Sequence, residues 1–369
     1  MITGWFKIGQ SDKGEKMKKC IGVAGVIALV MAFWTVTASA ANWNFYGSAR
    51  VSTYFTSVDK PTGDTSSNFE QGLQTNSRLG ARVKSGNIRG RFEFGHDDDV
   101  TIRHLYGEWR FGGGSLTVGQ TTTPFNIFTS NQVFGEGAAS GDTNLLKWGG
   151  TYVGREAIIQ LKPGNFKIAL VEPGFDDLNY TSTTSEIKTR MPKIEAKYRF
   201  YFDKGQLDVA ALYNTYELHR LSTDERWNVH SLLLSVGGKL DLGAMTLSGS
   251  VWAGQNPGVT GIWNTPLDTP RIVSGELVDC DGLGLTLVGA YEFNDMLRFE
   301  AGYGYTAAER DHSNYQKDAE ASYYVQARIT LAEGVMITPE IGMVDELRSS
   351  SGKAQNETLY GGIQWRIDF

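Results

Sequence analysis

Five histidines, His96, His104, His219, His230 and His312, are the first residues to test for chemistry. None has the helical spacing of a metal site, and no serine stands in a nucleophile elbow. A barrel-embedded hydrolase would need a serine, a histidine and a carboxylate or amide brought together. His104 and His230, on or beside strands, are its candidates. His96-Asp97-Asp98-Asp99 offers oxygen ligands that suit a divalent cation, but reads more simply as a solvated loop. Gly282-Leu283-Gly284 opens a strand with no helix after it, so it is not a phosphate loop. These patterns predict no catalytic residue, no cofactor and no resident metal.

The arginines say more. Ser85-Gly86-Asn87 has the chemistry of a tight hairpin turn. In the register that keeps both faces of this hairpin consistent, Lys84 lies opposite Arg89 and Arg82 opposite Arg91. Directly opposed like charges destabilise a sheet, so a purely structural wall would gain by losing one of each pair. Their presence implies a use for the positive field, or an anionic group close by. Glu93 and Glu108 offset part of it. Fixed charges around a narrowing set ion preference, and low-dielectric walls strengthen the field there.

The elements that position these charges are strands. From Asn42 the alternation has period two almost to the end. Trp43, Phe45, Gly47, Ala49, Val51 and Phe55 share one face; Asn44, Tyr46, Ser48, Arg50 and Ser52 share the other. Leu79, Ala81 and Val83 oppose Arg78, Arg82 and Lys84 in the same way. Sixteen strands can be counted, joined alternately by tight Gly/Asn/Asp turns and by longer polar loops. The last stretch, Leu359–Phe369, has one apolar and one polar face, and its length is roughly the 9–11 residues of a tilted strand crossing a bilayer. An open terminal edge invites aggregation, and a closed barrel removes it by pairing the last strand with the first. Short turns on one side, long loops on the other and an even strand number are the layout of an outer-membrane barrel. Aromatic residues fall at two levels. Phe111, Phe166, Phe200, Phe202, Phe293 and Phe299 lie near the tight turns, and Phe55, Phe94, Tyr213, Tyr305 and Tyr323 near the loops, as headgroup belts require. A barrel of about sixteen strands is too wide for side chains to fill, so its lumen holds water. One connection, about Thr121–Gly154, is long and aperiodic, and a stretch of that kind wants a functional reason.

The N-terminal residues read as an export signal. Lys16-Met17-Lys18-Lys19 precedes an apolar run, Ile21 to Val36, and then Ala38-Ser39-Ala40, which predicts a signal peptide cleaved after Ala40. Residues 1–40 carry five lysines against Asp12 and Glu15, so their removal takes the formal charge from −6 to −9. A chain this acidic is a poor partner for nucleic acid. Cys280 is the one cysteine after residue 40, so no internal disulfide forms. No run of about 20 apolar residues follows the signal, a test that barrels escape because only alternate residues face lipid. The expectation is an all-β protein: a transmembrane antiparallel β-barrel of about sixteen strands, one domain over residues 41–369, in the bacterial outer membrane with its lipids as partners.

Several short motifs add a resemblance. They are Phe45-Tyr46-Gly47, Asn76-Ser77-Arg78-Leu79-Gly80, Arg103-His104-Leu105-Tyr106, Leu116-Thr117-Val118-Gly119-Gln120, Val153-Gly154-Arg155 and the final Phe369. In these and in layout the chain resembles the general porins, the sixteen-stranded trimeric diffusion channels of Gram-negative outer membranes. The resemblance implies a water-filled channel for passive diffusion of small hydrophilic solutes and ions. It implies that the third external loop folds into the lumen, where its acids face arginines on the wall. Here that loop carries Glu136 and Asp142, against a basic wall of Arg78, Arg82, Arg89 and Arg91. Family arginines also fall on Arg103 and Arg155, yet strict alternation points both outward. Either a bulge turns them or the correspondence fails there. The second external connection, at His96-Asp97-Asp98-Asp99, is short, so the family's latch onto a neighbouring subunit is missing. A homotrimer is expected from the resemblance and from the small or polar outward set Gly47, Ala49, Thr53, Thr75, Ser77 and Ala81. The alternative function is a substrate-selective channel for a sugar or an oxyanion, using inward Tyr106, Tyr201, Tyr324 and Trp252. Bilayer conductance separates the two, because a selective channel is blocked by its solute.

Overall fold

A computed structural model describes residues 41–369, apart from 98, 136–140, 181–183 and 264–268. The export signal and its cleavage after Ala40 lie outside the described residues. The strands are β1 (Asn42–Asp59), β2 in two segments (Thr65–Leu73 and Arg78–Ser85), β3 (Ile88–Asp97), β4 (Asp99–Phe111), β5 (Gly114–Thr122), β6 (Arg155–Pro163) and β7 (Phe166–Val171). They continue with β8, again in two segments (Ser185–Lys188 and Lys193–Phe202), β9 (Gly205–Arg220), β10 (Glu225–Leu242), β11 (Met245–Gln255) and β12 (Cys280–Asn294). The last four are β13 (Leu297–Arg310), β14 (Asp318–Ala332), β15 (Val335–Arg348) and β16 (Glu357–Asp368). Neighbours in sequence pair antiparallel, and β1 closes the barrel on β16 from Ser48↔Asp368 to Asp59↔Glu357. The last residue is held in this seam: the Gly47 N–H donates to the Phe369 carbonyl at 2.7 Å, and the Phe369 N–H returns to Gly47 at 3.1 Å.

One end of the barrel is closed by two-residue turns: Gly86-Asn87, Gly112-Gly113, Gly164-Asn165, Asp203-Lys204, Gly243-Ala244, Asp295-Met296 and Glu333-Gly334. Gly86 and Gly164 have φ of 56°, the left-handed region in which a Cβ is penalised and which tight hairpins require. At the other end, residue 98 alone separates β3 from β4, whereas 123–154 and 256–279 are long. The second of these carries a small hairpin, Arg271–Val273 with Glu276–Val278, which packs near Leu178, Leu218 and Val229.

Faces are sorted as a membrane demands. Phe55, Leu79, Ile88, Trp109, Leu234 and Trp365 are exposed on the outside, where lipid is the solvent. Ser52, Glu93, Glu195, Thr286 and Glu340 are buried on the inside. Glu195, Thr286 and Glu340 meet the 123–154 connection, whose contacts are described below.

The outward patch expected to contact a second subunit is smaller than the alternation suggested. Thr75 and Ser77 lie in the 74–77 break between the two segments of β2. There the Ser77 hydroxyl accepts the Arg50 N–H at 3.0 Å and lies 3.1 Å from the Arg50 carbonyl. Gln74, the first residue of the break, faces into the barrel as the alternation of this strand implies, and is fully buried. Gly47 is covered by the Phe369 ring, and Ala81 is buried. Ala49 and Thr53 remain on the outward face.

Candidate functional site

The site is built by the 123–154 connection and the wall it touches. Its backbone is held by carboxylates that alternation aims inward. Glu195 on β8 accepts the Phe125 N–H at 2.9 Å. Glu300 on β13 accepts the Asn131 N–H at 2.7 Å and the Asn131 side chain at 2.8 Å. Glu340 on β15 takes the Val133 N–H on one oxygen at 2.9 Å and the Phe134 N–H on the other at 3.0 Å. Cations and amides hold the carbonyls: Lys197 Nζ donates to Asn126 at 2.7 Å, and Gln74 donates to Val133 and Gly141 at 2.8 and 2.7 Å. A buried carboxylate is costly unless its lone pairs are satisfied, and backbone N–H groups satisfy them with charge-assisted bonds. Phe134 then stacks on Tyr360 with ring centroids 3.7 Å apart.

Across from this seat lies the basic cluster. Glu93, with no exposed side-chain area, receives Arg91 at 2.6 Å, Arg103 at 2.9 Å and, more loosely, Arg78 at 4.0 Å. The Tyr46 hydroxyl donates to the same carboxylate at 2.8 Å. One carboxylate among three guanidiniums leaves the cluster positive. Arg50 pairs with Asp142 of the connection at 2.9 Å. Arg366 pairs with its neighbour Asp368 through two bonds of 2.9 and 2.6 Å.

Arg78, Arg91, Arg103, Arg155 and Asp142 are thus brought to one cavity of about 470 Å³. Arg103 reaches it through a bulge. Glu93 pairs with His104 and Phe94 with Ile102, so Arg103 is the extra residue on β4 and turns inward. Arg155 reaches it without one, as the first residue of β6 after Gly154 at φ 93°, with its guanidinium donating to the Tyr152 hydroxyl at 3.0 Å. The pairs Arg82↔Arg91 and Lys84↔Arg89 have the register read from the turn. Arg82, over the Tyr46 ring at 5.1 Å, and Arg89, paired across to Glu108, lie nearer that turn and do not line this cavity. Glu136 lies outside the described residues.

The sequence reading missed four arginines of the lining: Arg50, Arg298, Arg328 and Arg366. Arg50 and Arg366 stand on polar faces of β1 and β16 in the alternation, which was the available signal. Glu300, the other lining acid, has the same parity as Arg298. His104 and His230 meet hydroxyls, and His104 Nε2 also lies 3.9 Å from Glu93. His104 Nδ1 meets the Thr121 hydroxyl at 2.9 Å, and His230 Nδ1 lies 3.0 Å from the Tyr213 hydroxyl. Cys280 is buried at the start of β12, and Asp98 of the short acidic connection lies outside the described residues.

Solved structures share this architecture. The outer membrane channel DcaP of Acinetobacter baumannii is 16% identical, with a TM-score of 0.69 over 89% of this chain and 97% of that one. The anion-selective porin of Comamonas acidovorans is 12% identical, with a TM-score of 0.59 over 89% and 100%. OmpT of Vibrio cholerae, described in a trimer form, is 15% identical, with a TM-score of 0.56 over 90% and 100%. Identities this low speak for the fold alone. No curated protein gives a significant match. The profile of the Gram-negative porins matches residues 25–347, most of the chain, and with the closed sixteen-stranded barrel behind it the protein belongs to that family, the passive-diffusion channels of the outer membrane.

Proposed function

We propose that this porin favours small anions, at a constriction formed by the 123–154 connection against the arginine wall. One observation carries the reading: the cavity between them is lined by eight arginines, Arg50, Arg78, Arg91, Arg103, Arg155, Arg298, Arg328 and Arg366, and by two carboxylates, Asp142 and Glu300. A monovalent anion about 4 Å from one guanidinium gains roughly 4 kcal/mol at an effective dielectric near 20. That offsets partial dehydration at a narrowing, and spread over successive arginines it lets the ion move on. The Comamonas porin that shares this fold is described as anion-selective. A track for sugars has less support, because Trp252 and Tyr324 are 1% and 2% exposed beneath the connection.

The test is the reversal potential of the reconstituted channel under a KCl gradient. The parent is expected to lie toward the chloride equilibrium potential, and Arg78→Gln with Arg103→Gln should move it toward potassium. A cation-selective parent would refute the reading. On the same reading the protein is a homotrimer, supported by the trimeric Vibrio relative and by family resemblance, which mass measurement in mild detergent would check. Its mature chain starts at Ala41, supported by the export-signal pattern, which N-terminal sequencing would check.

A further inference from the structure

Within the described part of the connection, the large apolar side chains are buried with one exception. Phe125, Ile127, Val133 and Phe134 pack into the wall, while Phe128 is 53% exposed. Its position is central. Phe128 lines the arginine-rich cavity of about 470 Å³, a second of about 480 Å³ on the His96 and Trp263 side, and a third of about 400 Å³ on the Arg199 and Lys239 side. A solute passing from one to the next passes its ring. Polar groups surround it. Arg103 and Arg155 share the first two cavities with it, and Arg298 shares the first and third. The ring is also braced, since Tyr152 lies 5.8 Å away by centroids at 56°, and the Tyr152 hydroxyl accepts from Arg155.

A purely electrostatic filter for ions has no use for an open phenyl ring where its cavities meet. Aromatic rings attract other rings with centroids about 4.5–7 Å apart, in offset or edge-on geometry. A guest that offered a ring to Phe128 and a carboxylate to Arg155, Arg103 or Arg298 would satisfy both features at once. We propose that Phe128 recognises the ring of small aromatic carboxylates, so that the channel holds planar organic anions of benzoate type more strongly than compact anions of equal charge. This deepens the anion preference proposed above and rests on it.

The experiment uses the full mature channel in planar bilayers, with chloride current measured as sodium benzoate, acetate or cyclohexanecarboxylate is added at constant ionic strength. Benzoate is expected to half-block at a concentration about tenfold below acetate, a factor equivalent to roughly 1.4 kcal/mol. Cyclohexanecarboxylate, similar in bulk but without a planar π face, should lie closer to acetate, a comparison that needs no variant. Phe128→Ala should bring the benzoate and acetate values together, and Phe128→Tyr should restore the difference. The inference is overturned if the parent shows no benzoate preference, if cyclohexanecarboxylate matches benzoate, or if Phe128→Ala keeps the parent ratio. The reversal potential under KCl is read in the same bilayers. Anion selectivity without a benzoate preference overturns this inference alone, whereas cation selectivity overturns the proposal beneath it as well.

Discussion

Glu340→Gln is the most incisive single change available. In the parent, each carboxylate oxygen takes one backbone N–H of the 123–154 connection, from Val133 at 2.9 Å and Phe134 at 3.0 Å. The Tyr360 hydroxyl adds a third donor at 3.2 Å. Glutamine keeps the shape but has one acceptor oxygen, and its NH₂ group would face one of the two amides as donor against donor. The charge that strengthened the remaining bond is also lost. A hydrogen bond to a charged group contributes roughly 1.5–3 kcal/mol. Taking about 2 kcal/mol for the net loss, detachment of this stretch should become about 30-fold more populated. The barrel itself does not depend on this contact, because β15 keeps its pairing to β14 and β16. Amide hydrogen exchange in detergent reads the effect directly. Protection of Val133 and Phe134 should fall by about 30-fold, the factor set by local opening, while strand amides hold their values. Single-channel records should show more frequent excursions to higher current. Unchanged protection at both amides would refute the idea that Glu340 seats the connection.

Three further outcomes follow from the same contacts. Asp142→Asn removes the acid paired with Arg50, and the reversal potential under a KCl gradient should move further toward the chloride value. Glu93→Gln strips Arg91 and Arg103 of their buried counter-charge; breaking such a pair from one side costs about 3–5 kcal/mol, so the urea midpoint of the refolded barrel should fall. Gly149→Ala should unseat the connection, because Gly149 has φ of 89° and an added Cβ would run into the Leu285 and Tyr305 carbonyls; larger unit conductance with unchanged thermal stability is the expected record.

The wall was legible because period two is a direct consequence of pleating, and each residue in a wall strand had to choose lipid or lumen. The opposed pair Arg82 and Arg91 followed from one turn. Arg103 did not follow from the alternation, which points it outward; the family resemblance set it in the wall with a bulge as one of two explanations, and the pairing of Glu93 with His104 is that bulge. Arg298, Arg328 and Arg366 were missed for a different reason. Barrel closure brings them to the cavity from strands hundreds of residues away from Arg78, and no spacing rule spans such a distance. The seat of the connection was illegible because its partners are backbone groups. Nothing in the types of Phe125, Asn131 or Val133 announces that their amides will meet Glu195, Glu300 and Glu340.

That last feature separates two tasks that loops usually combine. The peptide groups give this segment a fastening that does not depend on residue type, beside the packing of Phe125, Phe134 and Trp148, so an exposed residue that faces the water path can be exchanged while both persist. Phe128 could be exchanged like a cassette, the glutamates of the wall serving as a fixed socket. Filters of different taste could then be bred on one unchanged scaffold, and the same freedom would let natural lineages shift their diet without rebuilding the barrel.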